Sequence, residues 1–247
     1  MKTKKRKILI GVLIAVPLLL ILAAICFFQF DEAGYRMSVP YRSSYTEISP
    51  HVYVSDGCKT DRETLLSLCG QARERVSAFF GEIQSDPVII FSDDAAGSRL
   101  GGDHDTKTML SPVKQSYISV TDKYCELDIL AHEMTHAELH KRLNFDRASD
   151  LPTWFDEGIA TQNDYRAQYS AEEWEKQTDS GKTAVMPADM DTPAEFYAGT
   201  ADDRRFRYLC AKHEVAVWLD ENGREGLLAL IDRLNSGSAF ADAFQGS

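Results

Sequence analysis

The order of apolar and polar positions divides the chain into an apolar N-terminal run and a longer body. The run Ile8–Phe28 holds 21 consecutive uncharged residues, and the five charged residues before it are all basic. As a helix rising about 1.5 Å per residue, the run spans the roughly 30 Å hydrocarbon core of a bilayer. The sequence therefore predicts a transmembrane signal anchor over 8–28. Because flanking basic residues stay on the cytoplasmic side, we expect residues 1–7 to be a cytoplasmic tail and the body to be extracytoplasmic.

Removal of this run as a signal peptide is the alternative. Signal peptides have an apolar region of about 7–15 residues that ends at a small-x-small cleavage site. This run is longer and ends in Ile25-Cys26-Phe27-Phe28. Cys26 resembles a lipoprotein acceptor cysteine, but the bulky Ile25 before it fits that processing poorly. The retained anchor is the favoured interpretation, and either alternative exports the body.

The body changes its apolar period along its length. Residues 29–50 are polar and contain two prolines, which is typical of a juxtamembrane linker. Apolar residues at a period of two, or in short buried runs, predict strands at 51–55, 87–92 and 115–121. A period near 3.6 predicts helices at 60–83, 123–143, 152–167, 203–222 and 224–235. The stretch 93–105 is rich in turn residues, and the polar stretch 168–200 predicts a long insertion or loop. A strand-rich first half and a helical second half indicate an α+β fold for residues 51–247.

Composition and charge narrow the class of partner. The 247 residues are 44% hydrophobic and 26% charged, which is typical of a globular protein. The formal net charge is −11, and without the basic tail it is −16. Phosphate backbones would repel a body of this charge, so nucleic acid is not an expected partner. The anchor lacks a GxxxG-type pairing motif, which leaves the oligomeric state open.

The cysteines fit an exported body. Apart from Cys26, four are present, and an oxidising compartment favours their pairing. We favour a local Cys58–Cys69 bridge and a long-range Cys125–Cys210 bridge among the three possible pairings. Buried free thiols are the alternative.

One helical segment carries residues with a metal-binding spacing. His132-Glu-Met-Thr-His136 lies inside the predicted helix 123–143. Helical residues four apart lie about 40° apart around the axis and one turn along it, so the two imidazoles can converge on one zinc ion. Glu133 is displaced by about 100°, which places it to take a proton from a metal-bound water.

A catalytic zinc site needs a third protein ligand and an open position for water. After the first helix, residues 144–150 form a predicted turn, and Asp150 and Pro152 predict the start of a second helix. The turn would return this helix beside the first one. Glu157 on the second helix can then complete a His–His–Glu site.

His140 is the rival third ligand, because it lies four residues after His136. On a continuous helix, His132 and His140 are separated by about 12 Å along the axis, which is too far to share one zinc ion. Glu157 is therefore preferred.

The two motifs together resemble a known family. HEMTH followed by Trp154-Phe-Asp-Glu-Gly-Ile-Ala is similar to the gluzincin zinc metallopeptidases, particularly the bacterial proteins called peptidase MA-like. The resemblance covers roughly residues 85–245, and only the two motifs are specific. It implies a zincin-like fold and one zinc ion per chain held by His132, His136 and Glu157. It also implies Glu133 as general base and acid in the hydrolysis of peptide or protein substrates.

The resemblance is incomplete at two places. The aminopeptidase branch of the family holds the free amine of its substrate with a GxMEN-type segment, and Gly101-Gly-Asp-His-Asp does not match it. Trimming from the N-terminus is therefore not implied. The branch also stabilises the oxyanion with a downstream tyrosine, for which we expect Tyr208. His213 and Tyr197 are the alternative donors.

The sequence thus predicts a membrane-anchored, outward-facing zinc peptidase at the cell membrane of a bacterium. A non-catalytic binding or regulatory module on a gluzincin-like scaffold is the alternative, and the presence of Glu133 favours the enzyme. The strand Gln115–Thr121 would bind an extended substrate by edge pairing, or would be an ordinary core strand.

Overall fold

The computed structural model describes residues 2–101, 106–111 and 114–245. The strands within these ranges are β1 (Tyr45–Ser49), β2 (Val52–Ser55), β3 (Val88–Ser92), β4 (Thr106–Leu110) and β5 (Ser116–Thr121). The helices in the first half are α1 (Lys2–Phe30), α2 (Glu32–Ser38), α3 (Arg62–Phe80) and α4 (Asp94–Gly101). Those in the second half are α5 (Leu127–Arg142), α6 (Thr153–Gln162), α7 (Ala171–Gln177), α8 (Pro193–Phe196), α9 (Ala201–Asn235) and α10 (Phe240–Gln245).

The strands form one mixed sheet in the order β1-β2-β3-β5-β4. The central strands β2, β3 and β5 are parallel, whereas β1 and β4 are antiparallel to their neighbours at the two edges. All five described strands precede the helices α5 and α6, which confirms the predicted α+β class. The central strand β3 is buried at every position, as expected for a parallel strand that is covered on both faces.

Helices cover the sheet on both faces. Because side chains alternate along a strand, Ile118 and Val120 of β5 join the larger core with α3, α5, α6 and α9. Tyr117 points to the opposite face and joins a smaller core beside α2 and α4. The helix α5 packs on the larger core through a stripe that includes Leu130 and Met134, which leaves its polar face free to line a cleft.

The first half contains more regular structure than the sequence predicted. The segment 29–50, expected as a linker, carries α2, a 3₁₀ turn and β1. Tyr35, Val39 and Tyr45 from this segment are buried against the back of the sheet, which supplies apolar contacts that the polar composition obscures. The predicted turn 93–105 contains α4, while its residues 102–105 lie outside the described part of the chain.

The second half follows the predicted helices closely. The expected break between 222 and 224 occurs inside α9 at Gly223, whose φ of 64° and ψ of −170° interrupt the helix. The stretch 168–200 contains α7 and α8 rather than an irregular loop. Met190 and Phe196 in this stretch are fully buried, so it is fixed to the core.

The N-terminal helix α1 packs against α2 at its end. Among the described residues, no single helix meets the length and apolarity needed to cross a membrane. The segments Ala15–Phe30 and Glu32–Tyr41 meet them only as a pair, bent by 88°. Large apolar side chains of α1 are exposed at Leu13, Val16, Leu18, Leu19, Leu20, Ile21, Leu22, Ile25 and Phe28.

All five cysteines fall within the described residues, and each is a free thiol. Neither of the favoured bridges is formed. Cys125 lies within electrostatic range of both Cys58 and Cys69, whereas Cys210 is buried on α9. The favoured division into a local and a long-range bridge is therefore wrong, because Cys125 lies near the two cysteines of the expected local bridge.

Candidate metal centre

A sharp reversal brings α6 beside α5. Asn144 and Phe145 have φ values of 52° and 62°, so the chain turns back directly after α5 through a left-handed conformation. The start of α6 is satisfied by the backbone of the 168–200 stretch, because the amides of Thr153 and Trp154 donate to the carbonyls of Asp191 and Met190. Asp150, predicted as the N-cap, instead ends a short 3₁₀ turn before the helix.

The helix α6 also lies unusually close to α9, and Gly158 makes this possible. A Cβ at Gly158 would lie 2.6 Å from the carbonyl oxygen of Ala211 and 2.6 Å from Cγ2 of Val215. Both distances are shorter than real side chains show, so only glycine fits here without a shift of the helices. The residue before it, Glu157, is therefore on a helix whose position depends on this contact with α9.

The structure brings His132, His136 and Glu157 together as a group that could hold a metal ion. The Nε2 atoms of the two histidines are 3.2 Å apart, and Oε2 of Glu157 lies 3.3 Å from each of them. Ligand atoms around a tetrahedral zinc ion at about 2.0–2.1 Å are about 3.3 Å apart. The three atoms therefore have the spacing of one face of such a tetrahedron, and they fit a zinc ion.

The partners of these atoms support the same fit. Oε2 of Glu157 is buried and accepts no hydrogen bond, whereas the hydroxyl of Tyr197 donates to Oε1 of the same carboxylate. Burial alone would raise the pKa of Glu157, but the neighbouring histidines outweigh it and hold this pKa far below its usual range. The carboxylate is therefore ionised, with one oxygen fixed and the other free to bind a cation.

Asp156 contacts two of the histidines, and the sequence did not predict this contact. Its Oδ1 lies 2.9 Å from Nδ1 of His136, and its Oδ2 lies 2.9 Å from Nε2 of His140. Histidines that bind metals commonly donate their second ring N–H to a carboxylate, which fixes the tautomer. His140 therefore contacts the carboxylate that supports His136, and His136, His140 and Asp156 form a second group that could hold a metal ion. The position of Asp156 directly before Glu157 on α6 was the sequence feature that could have identified it.

Glu133 faces the same cleft and is held by the sheet. The hydroxyl of Thr108 on β4 lies 2.5 Å from Oε2 of Glu133 and 2.9 Å from its backbone oxygen. The edge strand beside the centre is therefore β4. The alternative expectation that Gln115–Thr121 offers a free edge is wrong, because β5 is paired on both sides by β3 and β4. β4 was missed because it follows a stretch rich in turn residues.

The three candidate oxyanion donors occupy different places. Tyr208 lies beside His132, with ring centroids 6.0 Å apart, and lines the cleft. Tyr197 also lines the cleft. Its hydroxyl donates a hydrogen bond to Glu157 and is also hydrogen-bonded to Tyr208. His213 stacks on Trp174 at 3.4 Å and is not among the residues that line the cleft. Burial, reinforced by Glu157, raises the pKa of Tyr208 well above its usual value, so its phenol stays protonated.

Two cavities meet at the centre. The first has a volume of about 390 Å³ and contains the His/Glu group together with Lys107 and Thr108 of β4. The second has a volume of about 370 Å³ and shares His132, Glu133 and Tyr208 with the first. The candidate ligands are thus buried enough to exclude bulk water and are still reachable from outside.

Comparison with known proteins found no match to any family and no similar protein among curated sequences. The likeness to gluzincins accordingly depends on the two motifs and on the residues they bring together.

Proposed function

We propose that this protein is a zinc-dependent peptidase of the gluzincin type. The observation that carries the proposal is the spacing of three candidate ligand atoms, one each on His132, His136 and Glu157. These atoms lie 3.2 and 3.3 Å from one another. Two imidazoles and one carboxylate, with room beside them for a water, are a donor set that catalytic zinc uses. When bound there, zinc supplies a Lewis acid that lowers the pKa of a water and polarises a peptide carbonyl.

Glu133 is the general base and acid of this proposal. Its carboxylate lines the cleft beside His132 and is only 7% exposed. It would remove the proton from the attacking water and pass it to the leaving amine. Thr108 donates to one carboxylate oxygen, which leaves the other oxygen free for the proton. The carboxylate of Glu133 would therefore be the base in the first step of hydrolysis and the acid in the second.

The substrate of this proposal is an extended peptide. The strand β4 is at the edge of the sheet and lines the cleft with Thr106, Lys107 and Thr108. A peptide can add to such an edge through main-chain hydrogen bonds, which gives affinity without selecting a sequence. This arrangement would bring a peptide carbonyl across the cleft, between Glu133 and Tyr208. The phenol of Tyr208 is then the donor to the developing oxyanion.

We further propose that the run 8–28 anchors the enzyme in a cell membrane, with the cleft outside the cytoplasm. The exposed apolar side chains from Leu13 to Phe28 support this, because water would not favour such a surface on an isolated helix. The basic residues before the run support the orientation. The polar segment after α1 continues directly into the fold through α2 and β1, so the anchor would hold the body close to the membrane.

The test compares zinc content and peptide cleavage in the full chain, purified in detergent. The variants are Glu133→Gln, Glu157→Ala and, as a matched control, Glu172→Gln on the exposed surface of α7. We expect one zinc per chain in every form except Glu157→Ala. Peptides from a broad library are cleaved only by wild type and the control. Zinc without cleavage would make the chain a binding module, and no zinc in wild type would refute the metal centre.

A further inference from the structure

The second cavity beside the metal centre carries a pair of arginines that the proposed chemistry does not use. Arg166 and Arg204 both line it, together with Asp164 as the opposing charge. Its wall of His132, Glu133 and Tyr208 is shared with the cleft, so the two cavities are adjacent at the proposed metal centre. A substrate that extends from the cleft into the second cavity would contact the guanidinium groups of Arg166 and Arg204.

Arg166 is held in place by an ion pair that does not use all of its N–H donors. Its Nε lies 2.9 and 3.0 Å from the two oxygens of Asp164, a carboxylate that is fully buried. Burial would lower the pKa of Arg166, but Asp164 outweighs it and raises the pKa. The bonds from Arg166 to Asp164 use Nε and Nη2. A guanidinium has five N–H donors, so donors remain for another acceptor.

Arg204 has no carboxylate partner among the described residues. The adjacent acidic side chains are already engaged, because Asp203 accepts from Thr200 at the start of α9 and Asp202 pairs with Arg205. The contact of Arg204 within its own chain is a long one, from Nη1 to the carbonyl of Gly199 at 3.4 Å. A cation in the first turn of a helix also opposes the helix dipole. The guanidinium of Arg204 therefore gains little stabilisation from contacts within the protein.

We propose that Arg204, supported by Arg166, forms a subsite that binds a carboxylate of the substrate near the cleaved bond. This inference depends on the proposed peptidase function and names the substrate class: peptides with an acidic side chain, or a free C-terminus, on this side of the bond. Arginine matches a carboxylate with two parallel N–H donors, which gives both charge and geometry.

The overall charge of the protein makes a local cationic subsite necessary for such a substrate. The formal net charge of −11 repels acidic peptides at long range. At physiological salt, that repulsion is screened beyond about 8 Å, whereas a contact inside a cavity is screened much less. Selection of a carboxylate must therefore come from groups that touch it.

The test measures binding, so that it does not depend on turnover. Fluorescent peptides are prepared in pairs that differ by Glu or Gln at each of the three positions on either side of the scissile bond. A further pair differs by a free or an amidated C-terminus. Dissociation constants are measured by anisotropy on the full-length Glu133→Gln protein loaded with zinc. Arg204→Gln and Arg204→Lys are added to that background, with Arg205→Gln as the matched control.

We expect at least one pair in which the carboxylate form binds about tenfold tighter, since a hydrogen bond to a charged group is at stake. Arg204→Gln reduces the ratio within that pair to near one, Arg204→Lys keeps part of it, and Arg205→Gln leaves it unchanged. The pair that responds identifies the source of the carboxylate. Binding without discrimination, or discrimination that survives Arg204→Gln, overturns the subsite alone. If no peptide binds, the subsite and the peptidase function are both refuted.

Discussion

The hydroxyl of Tyr197 donates to Oε1 of Glu157, and this contact leaves Oε2 of the same carboxylate facing His132 and His136. A tyrosine from the 168–200 stretch therefore sets the orientation of a candidate ligand on α6. The two neighbouring tyrosines therefore differ in the contacts that their hydroxyl groups make. Tyr197 contacts the candidate ligand Glu157, whereas Tyr208, which is hydrogen-bonded to Tyr197, is the tyrosine that we propose turns its hydroxyl to the substrate.

Tyr197→Phe tests the first of these roles. Without the hydroxyl, the carboxylate of Glu157 is free to rotate, and we expect zinc affinity to fall by about 10- to 100-fold. Competition with a chromophoric chelator measures the change. Tyr165→Phe, an exposed tyrosine outside the cleft, is the control and keeps the affinity of wild type. Equal affinities for Tyr197→Phe and wild type would contradict the orienting role.

Tyr208→Phe tests the second role. Removing one donor to the oxyanion lowers kcat by about 100- to 1000-fold, because the donor acts only as the charge develops. Zinc content and KM should remain close to those of wild type. Steady-state kinetics with a cleaved peptide measures the effect. The opposite pattern, lost zinc with Tyr208→Phe and lost kcat with Tyr197→Phe, would exchange the two assignments.

Gly158→Ala tests the close contact between α6 and α9. The added methyl group would meet the carbonyl of Ala211 and the side chain of Val215, both at 2.6 Å. We expect the free energy of unfolding to fall by about 1–3 kcal/mol. Gly70→Ala on α3 is the matched control, because no atom lies within 4 Å of its new Cβ. It should be stabilising by about 1 kcal/mol through helix propensity. Thermal denaturation that ranks both variants alike would contradict this packing.

The reactivity of the thiols tests their burial. Burial raises the pKa of Cys69 to about 12 and that of Cys125 to about 11, and burial together with Asp122 raises that of Cys58 to about 12. Only the thiolate is alkylated, so at pH 8 these three react at least about 100-fold more slowly than an unperturbed cysteine. Mass spectrometry of peptides alkylated before and after denaturation measures the rates. Fast native alkylation, or a disulfide-linked peptide, would contradict three half-buried free thiols.

The part of the site that the sequence predicted is the part that local periodicity determines. His132, Glu133 and His136 follow from the geometry of a single helix. Glu157 required one more step, the return of the chain at Asn144 and Phe145, and the turn residues there made that step readable. The α+β class followed in the same way from the change of apolar period along the body.

The contributions that were missed come from tertiary contacts. Thr108 reaches Glu133 only because β4 pairs with β5 at the sheet edge, and the residues of β4 do not alternate clearly between apolar and polar. Tyr45 belongs to a polar stretch and, like Tyr35 and Val39, is buried against the back of the sheet. The choice between Tyr197 and Tyr208 depends on which phenol reaches Glu157, which spacing in the sequence does not reveal.

The measurement that tests the central claim most directly is X-ray absorption at the zinc K-edge of the full-length protein loaded with one zinc. We predict a first shell of nitrogen and oxygen atoms at about 2.0–2.2 Å, with the multiple scattering of two imidazoles. In His136→Ala the contribution of one imidazole disappears. Sulfur atoms at about 2.3 Å, or a spectrum that His136→Ala and Glu157→Ala leave unchanged, would contradict a centre made of His132, His136 and Glu157.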